Sequence, residues 1–323
     1  MSARAPVDSS LAMTDLHEGP EQGGPAEERV HLPRMQAGAQ PQHLLITLLG
    51  DYWYGRREHL PSAALVRLLA EFGVTPVGAR AALSRLARRG LLESSRVGRR
   101  TYYGLTERAA AVIADGARRI YSFGTSSRSW SGQWTVAAFS IPEEQRDVRH
   151  ALRSRLRWLG FAPLYDGVWV TAGDEAAAAT AVLKELEIGV ATVMTAVVAP
   201  GSPLSGDPLG AWDLAGLRQR YREFVAKYGP LLERIGAGEV GPSEALVART
   251  AVMNEWRNFP NLDPDLPPEL LPQPWPRAEA RRIFVEVYNG LGPLAQVRVR
   301  HVLAELSPDL AELARFHTTS FSG

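Results

Sequence analysis

Arg80, Ser84 and Arg88 recur at i, i+4 and i+8, with Arg85 beside them, so these polar side chains share one line along a helix. Guanidinium groups in such a row suit the pairing of phosphate oxygens and of guanine edges in duplex DNA. Farther along, Arg96, Arg99 and Arg100 gather around Val97-Gly98, a turn sequence that can join two short strands. From Pro76 to Arg108 the chain has eight arginines against two glutamates, Glu93 and Glu107, although the net charge of the whole protein is only +1. A local excess of this kind binds phosphate backbones by releasing counterions, without preference for sequence. A solvated charged face on an ordinary helical hairpin is the other reading of the same residues.

The elements that must hold these arginines are well punctuated. A helix is expected over Ser62–Phe72, with Leu65, Leu68, Leu69 and Phe72 on its buried stripe and Gly73 as its stop. Thr75 offers a capping oxygen and Pro76 fits the first position of a second helix, Pro76–Arg89, which Gly90 closes. Ala79, Leu83 and Leu86 form the buried side of that helix. Leu91–Arg96 and Thr101–Leu105 read as the two strands. Helix, turn, helix and basic hairpin in this order describe a winged helix-turn-helix, whose second helix enters the major groove while the hairpin straddles the backbone. Thr75, Arg80, Ser84, Arg85, Arg88, Arg96, Arg99 and Arg100 are the candidate DNA contacts. His43–Gly50 reads as a buried supporting helix, with Trp53 and Tyr54 completing a small core, and Thr106–Tyr121 as an Ala-rich connector leaving it.

At 323 residues the chain has room for two or three domains, and 45% hydrophobic with 22% charged residues is ordinary for a globular protein. The absence of cysteine excludes disulfides, thiol catalysis and cysteine-bound zinc. No apolar run approaches the ~20 residues of a membrane span, and no signal peptide is visible, so the expected location is the cytoplasm, at the nucleoid. Residues 1–40, rich in Gly, Pro, Glu and Ala, read as a flexible leader: a misassigned start or a protein-binding arm.

Between residues 130 and 200 the period changes. Trp134–Ile141, Phe161–Leu164, Val168–Thr171 and Val190–Val198 read as strands. Helices are expected from Pro142 to Leu159 and over Asp174–Glu187, and Asp166-Gly167 as a hairpin turn. The order strand, helix, strand, strand, helix, strand is that of a ferredoxin-like unit. Residues 210–318 return to helices, expected over Leu214–Ile235, Ser243–Phe259, Arg277–Asn289 and Pro293–Leu306. Among them lies a passage from Pro260 to Pro276 whose prolines forbid a helix, and which Leu262, Leu266, Leu270, Leu271 and Trp275 would pin to the body. The fold class is therefore α+β and multidomain: a leader (1–40), a winged helix-turn-helix with its connector (41–123), a ferredoxin-like domain (130–200) and a helical C-terminal domain (210–318).

These residues together resemble the PaaX family of transcriptional regulators. The resemblance is carried by the winged segment, Trp130-Ser131-Gly132-Gln133-Trp134, Arg157-Trp158-Leu159-Gly160-Phe161 and Gly167-Val168-Trp169-Val170. It continues through Glu255-Trp256-Arg257-Asn258-Phe259-Pro260, Leu262-Asp263-Pro264-Asp265-Leu266-Pro267, Leu270-Leu271-Pro272 and Trp275-Pro276. It runs in order from about Pro41 to Glu305; the long leader departs from the commonest pattern. The resemblance implies a homodimer on an inverted-repeat operator in double-stranded DNA, most often a repressor of phenylacetic acid or related catabolism released by phenylacetyl-CoA. It also implies a Cas2-like central domain.

Two competing functions follow from the same resemblance, a Cas2-like metal-dependent nuclease and a CoA-ester-binding enzyme. Metal-dependent cleavage needs carboxylates that gather a cation and a water, and Val136–Ile141 contains none before Glu143. The seven histidines have no metal-ligand spacing, and neither a P-loop nor a G-x-S-x-G elbow is present. No cofactor or metal is expected, and the chain reads as a non-enzyme. An acyl-CoA effector would need arginines for its phosphates and an apolar slot for its acyl group. Arg249, Arg257, Arg277, Arg281 and Arg282, near Trp256, Phe259 and Trp275, are the candidates, in a site expected between the middle and C-terminal domains. Each has a structural alternative; Arg257, for one, could tie down the Asp263-Pro264-Asp265 loop.

Overall fold

The computed structural model describes residues 40–125, 129–198 and 207–320; all of the expected leader except Gln40 lies outside them. Helix α1 (Pro41–Tyr52) is buried from His43 to Leu49, as a helix apolar on every side must be. Around it stand α2 (Ser62–Ala70) and α3 (Pro76–Arg88). Strands β2 (Leu92–Val97) and β3 (Arg100–Leu105) then form an antiparallel hairpin. A two-residue strand that sequence periodicity did not show, β1 (Leu60–Pro61), pairs on the outer side of β3. Helix α2 stops two residues before the expected Phe72, in a tightened turn where Gly73 N–H donates to the Ala70 carbonyl and Gly73 adopts a φ of +74°.

Helix α4 (Glu107–Ser122), capped by Thr106, leads into the central unit. There β4 (Trp134–Phe139), α5 (Arg146–Trp158), β5 (Ala162–Tyr165), β6 (Val168–Ala172), α6 (Ala176–Glu185) and β7 (Ala191–Ala196) follow in the order expected. The sheet order β5-β6-β4-β7, antiparallel throughout, is the ferredoxin-like arrangement. The helix expected from Pro142 starts instead as a 3-10 turn at Glu143–Gln145 before α5. Alternation along β4 separates the two faces of the sheet. Ala137 and Phe139 meet Leu152, Leu156 and Leu183 of the two helices. Trp134 and Val136 face the other way, with Val170 and Ala172, and are covered by Leu266, Leu270, Leu271 and Trp275 from the proline-dense passage.

From Leu266 onward that passage is thus the lid of the central sheet, whereas Leu262, expected to help pin it, is 46% exposed on the one-turn helix before it. The passage is not wholly free of helix, as its prolines suggested. Pro260 sits at the start of a one-turn helix, α9 (Phe259–Leu262), where its missing N–H costs nothing, and Pro268–Leu270 make a 3-10 turn. The remaining helices are α7 (Leu214–Gly236), α8 (Pro242–Trp256), α10 (Arg277–Gly290), α11 (Gly292–Ala304) and the short α12 (Pro308–Ala311). The expected helix over Ser243–Phe259 is split between α8 and α9.

The C-terminal helices share one continuous apolar core with α1, α2 and α3. Polar bonds fasten the two ends of the chain across that core. Arg249 of α8, fully buried, donates to Asp51 of α1 at 3.1 Å, to the Tyr288 carbonyl at 3.0 Å and to the His317 carbonyl at 2.6 Å. Tyr288 adds its hydroxyl to the other Asp51 oxygen at 2.8 Å. Burial raises the Asp51 carboxyl above its ordinary range, against the pull of the Arg249 guanidinium. Nearer the surface, Glu71 at the end of α2 accepts two bonds from Arg298 of α11, at 2.6 and 3.1 Å.

Candidate nucleic-acid interface

Helix α3 is aimed by its ends and by its buried side. Thr75 caps it, its hydroxyl accepting from Gly78 N–H at 3.2 Å, which commits that oxygen to the helix itself. Ala79, Ala82, Leu83 and Leu86 are buried against the core, which turns Arg80, Ser84, Arg85 and Arg88 to solvent. Val77 lies on the same line, three residues before Arg80, and is 75% exposed. An apolar side chain in the first turn of such a face suits a thymine methyl. Periodicity could have identified it, since Val77 falls off the buried stripe.

The hairpin projects beside this face. Val97 pairs with Arg100, leaving a two-residue loop of Gly98-Arg99, and Gly98 has the φ of +60° that this type of tight turn requires at its first position. Arg96, Arg99 and Arg100 are exposed around the tip. His59 braces the base, its ring within hydrogen-bond distance of Ser95 Oγ (2.8 Å) and Glu93 Oε1 (3.1 Å). It lies so close to Gly104 that a Cβ there would come within 2.3 Å of the ring. The structure therefore puts seven of the eight candidate contacts on one helix face and one hairpin, with Thr75 at the helix start. Arg80, Arg85, Arg88, Arg96, Arg99 and Arg100 have no ion-pair partner among the described residues. By contrast, Arg67, Arg149, Arg153, Arg234, Arg249, Arg277 and Arg298 all have carboxylate partners.

The effector candidates are not gathered into one site. Arg249 is spent on Asp51 and two carbonyls. Trp256 is buried and stacked on Phe284, with ring centroids 4.9 Å apart. Arg277, and not Arg257, ties down the Asp263-Pro264-Asp265 loop, with 2.7 Å to Asp265 and 3.3 Å to Asp263. Tyr221 completes that knot, donating to Asp263 at 2.7 Å while its ring stacks on Phe259. Arg281 donates to the Phe123 and Tyr121 carbonyls, and Trp275 packs edge-on to Tyr221. Arg282 pairs with Glu286 on the surface of its own helix.

Two clefts lie near these residues. One of about 550 Å³ lies where the middle and C-terminal domains meet, with Arg119, Arg157, Trp158, Asn261 and Asp265 among its walls, and contains none of the candidates. Burial holds the Arg119 guanidinium below its ordinary pKa. That group lies 3.6 Å from the Trp158 ring centre and donates to the Pro260 carbonyl at 2.6 Å, joining the connector, the central unit and the proline-dense passage. The larger cleft, about 780 Å³, lies between α1–α2 and α7–α8, and Arg257 and Phe259 line it. Among the described residues there is no cluster of His, Asp or Glu suited to hold a metal ion, and no helix is long and apolar enough to cross a membrane.

Comparison with known proteins accounts for the three units in the same order. Residues 40–109 match the profile of the PaaX-like protein, residues 127–205 that of the PaaX protein central Cas2-like domain, and residues 212–301 that of the PaaX-like protein C-terminal domain. The transcriptional repressor PaaX of Escherichia coli (strain K12) is 26% identical over 259 residues, covering 78% of this chain and 80% of that protein. Among solved structures, the uncharacterized protein Rv0674 from Mycobacterium tuberculosis shares 25% identity at a TM-score of 0.48, over 79% of this chain and 96% of that one. The chain belongs to the PaaX family of transcriptional regulators.

Proposed function

We propose that the chain is a dimeric, sequence-specific DNA-binding repressor in which α2, α3 and the β2–β3 hairpin work as a winged helix-turn-helix. The observation that carries this reading is the arginine face of α3, unpaired among the described residues and set beside an arginine-tipped hairpin on a continuous apolar core. Helix α3 enters the major groove, with Val77, Arg80, Ser84 and Arg85 facing base edges, while Arg96, Arg99 and Arg100 track the phosphates. A two-fold dimer would place two such helices on an inverted repeat. The edge of the central sheet supports self-association: among the described residues β7 is an edge strand, and Met194 on it and Val190, Val197 and Val198 flanking it are exposed. The chain acts in the cytoplasm by binding, without turning over a substrate.

Operator affinity is set by a small-molecule effector, and phenylacetyl-CoA is the first compound to try. The test is fluorescence anisotropy on the protein's own upstream intergenic DNA, with and without the ester. Tight binding to that duplex over a scrambled one, released by the ester, is the expected result. Equal affinity for both duplexes would overturn the reading of the helix face.

The hairpin has its own signature. Replacing Arg99 or Arg100 by alanine should weaken all DNA sequences alike and lower the slope of log affinity against log salt by about 0.9 for each phosphate that the variant no longer neutralises. An unchanged slope in both variants would remove the hairpin from the interface.

A further inference from the structure

Among the described residues Arg257 has no carboxylate within ion-pair distance, and only the more distant charge of Asp51 reaches it. The arginine is half-buried on the wall of the 780 Å³ cleft, and its one hydrogen bond among the described residues runs from a terminal nitrogen to the neutral Thr47 hydroxyl at 3.2 Å. That hydroxyl is itself occupied, donating to Asn254 Oδ1 at 2.8 Å. Of the carboxylates around it, Asp51 is bonded to Arg249 and Tyr288, Glu71 to Arg298, and Glu255 to Lys227 and Tyr228, while Glu223 on the cleft wall is exposed to solvent and accepts from Gln219. On the same wall the amide oxygen of Asn258 has no hydrogen-bond partner among the described residues. A guanidinium left this way suits an anion supplied from outside, because its fork of donors matches a carboxylate or phosphate. Leu44, Phe72, Val247, Phe259 and Leu262 give the cleft apolar walls. Its volume is within the ~300–1,000 Å³ usual for organic ligands.

We propose that this cleft is the receptor site for a small organic anion, with Arg257 pairing its charged head and the apolar walls taking an aryl or alkyl body. The inference rests on the reading of the chain as a ligand-controlled DNA-binding regulator. It moves the effector away from the junction of the middle and C-terminal domains, where it was expected. The cleft is also placed to act on DNA binding. One wall is Glu71 and Phe72, at the end of α2, and three residues beyond Phe72 the Thr75 cap begins α3. Across the gap α2 is held to the C-terminal helices by Glu71 with Arg298 and Ser243, and by Arg67 with Glu305. A ligand that widens the gap strains those bonds and turns α3, so its differential affinity for the two arrangements becomes a change in operator affinity.

The test is isothermal titration of the full chain with phenylacetate, its neutral isostere phenylacetamide, and phenylacetyl-CoA. Thermal unfolding and ligand-free operator binding are recorded on the same preparations. At least one of the two anions should bind, with the amide tenfold or more weaker than phenylacetate where phenylacetate is the one that binds. Arg257→Gln should weaken that binding at least tenfold and Arg257→Lys should restore part of it. Val247→Trp, which fills the cleft without touching the arginine, should abolish it and keep the proposal testable if Arg257→Gln unfolds. Binding of phenylacetate assigns the charged head to a carboxylate, whereas binding of the ester alone assigns it to the CoA phosphates. Failure of both anions to bind, or binding unchanged by both Arg257→Gln and Val247→Trp, overturns the site. A protein that takes the anion through Arg257 but ignores its operator keeps the site and refutes the regulator reading.

Discussion

Replacing Arg249 by alanine is expected to destabilise the fold by about 3–5 kcal/mol, the cost of leaving a buried carboxylate without its cation. The side chain has no exposure, and three of its donors are placed on Asp51, the Tyr288 carbonyl and the His317 carbonyl. Its removal strips all three at once. Urea unfolding should show a lower midpoint, and amide exchange should quicken in α1 and around His317 before the central sheet is affected. The double variant Asp51→Leu/Arg249→Met should lose less than the two single variants summed, since no charge is then stranded. The pH dependence has a defined sign. Burial already raises the Asp51 carboxyl above 3.8, and without Arg249 it rises further. The folded state of the alanine variant then binds the proton more tightly than the unfolded state. Its deficit therefore narrows as pH falls through that raised value and widens as pH rises through it. A deficit that is small and independent of pH would mean that Arg249 is not the staple between the two ends of the chain.

The triple substitution Arg80→Ala/Arg85→Ala/Arg88→Ala is expected to weaken operator binding by about 3 kcal/mol or more, over a hundredfold. Each bidentate arginine contact to a base edge contributes about 1–3 kcal/mol. Arg85→Ala alone should cost about 1–3 kcal/mol and relax base preference at one position. All three side chains are exposed and unpaired among the described residues, so the thermal midpoint should barely move. Residual binding through the hairpin should survive and be equal on operator and scrambled duplexes. If the triple variant still tells the two duplexes apart, the base-reading surface lies elsewhere.

The local half of this architecture was legible in the sequence because local signals set it. Gly73, Thr75, Pro76 and Gly90 bracket α3 within a few residues of where it begins and ends, and Gly98 places the hairpin loop. The order of the central unit followed from its alternation and from Asp166-Gly167. What was not legible depends on contacts far apart in the chain. Nothing near Arg249 in the sequence marks it as the partner of a residue 198 positions earlier. The run from Leu266 to Trp275 showed apolar side chains that needed a surface, but not that the surface was the second face of the sheet. Arg257 and Arg277 looked alike as arginines near an acidic loop; only the fold puts Arg277 on Asp263 and Asp265 and leaves Arg257 facing a cleft. Fusion of the N- and C-terminal units through one core likewise has no periodic signature, since each helix stripe shows only that it is buried.

The central claim, that the outer face of α3 lies in the major groove, can be tested by tethered cleavage. The chain has no cysteine, so Ser84→Cys gives a single attachment point for an iron–EDTA reagent, and Glu233→Cys, on an exposed turn of α7, serves as the control. The Ser84 conjugate is expected to cut the operator in two compact clusters, one in each half-site. They should be separated by about 34–36 Å or a multiple of it along the helix axis, while the Glu233 conjugate leaves both intact. Cleavage that is diffuse along the duplex, or stronger from Glu233 than from Ser84, would contradict the placement of α3 in the groove.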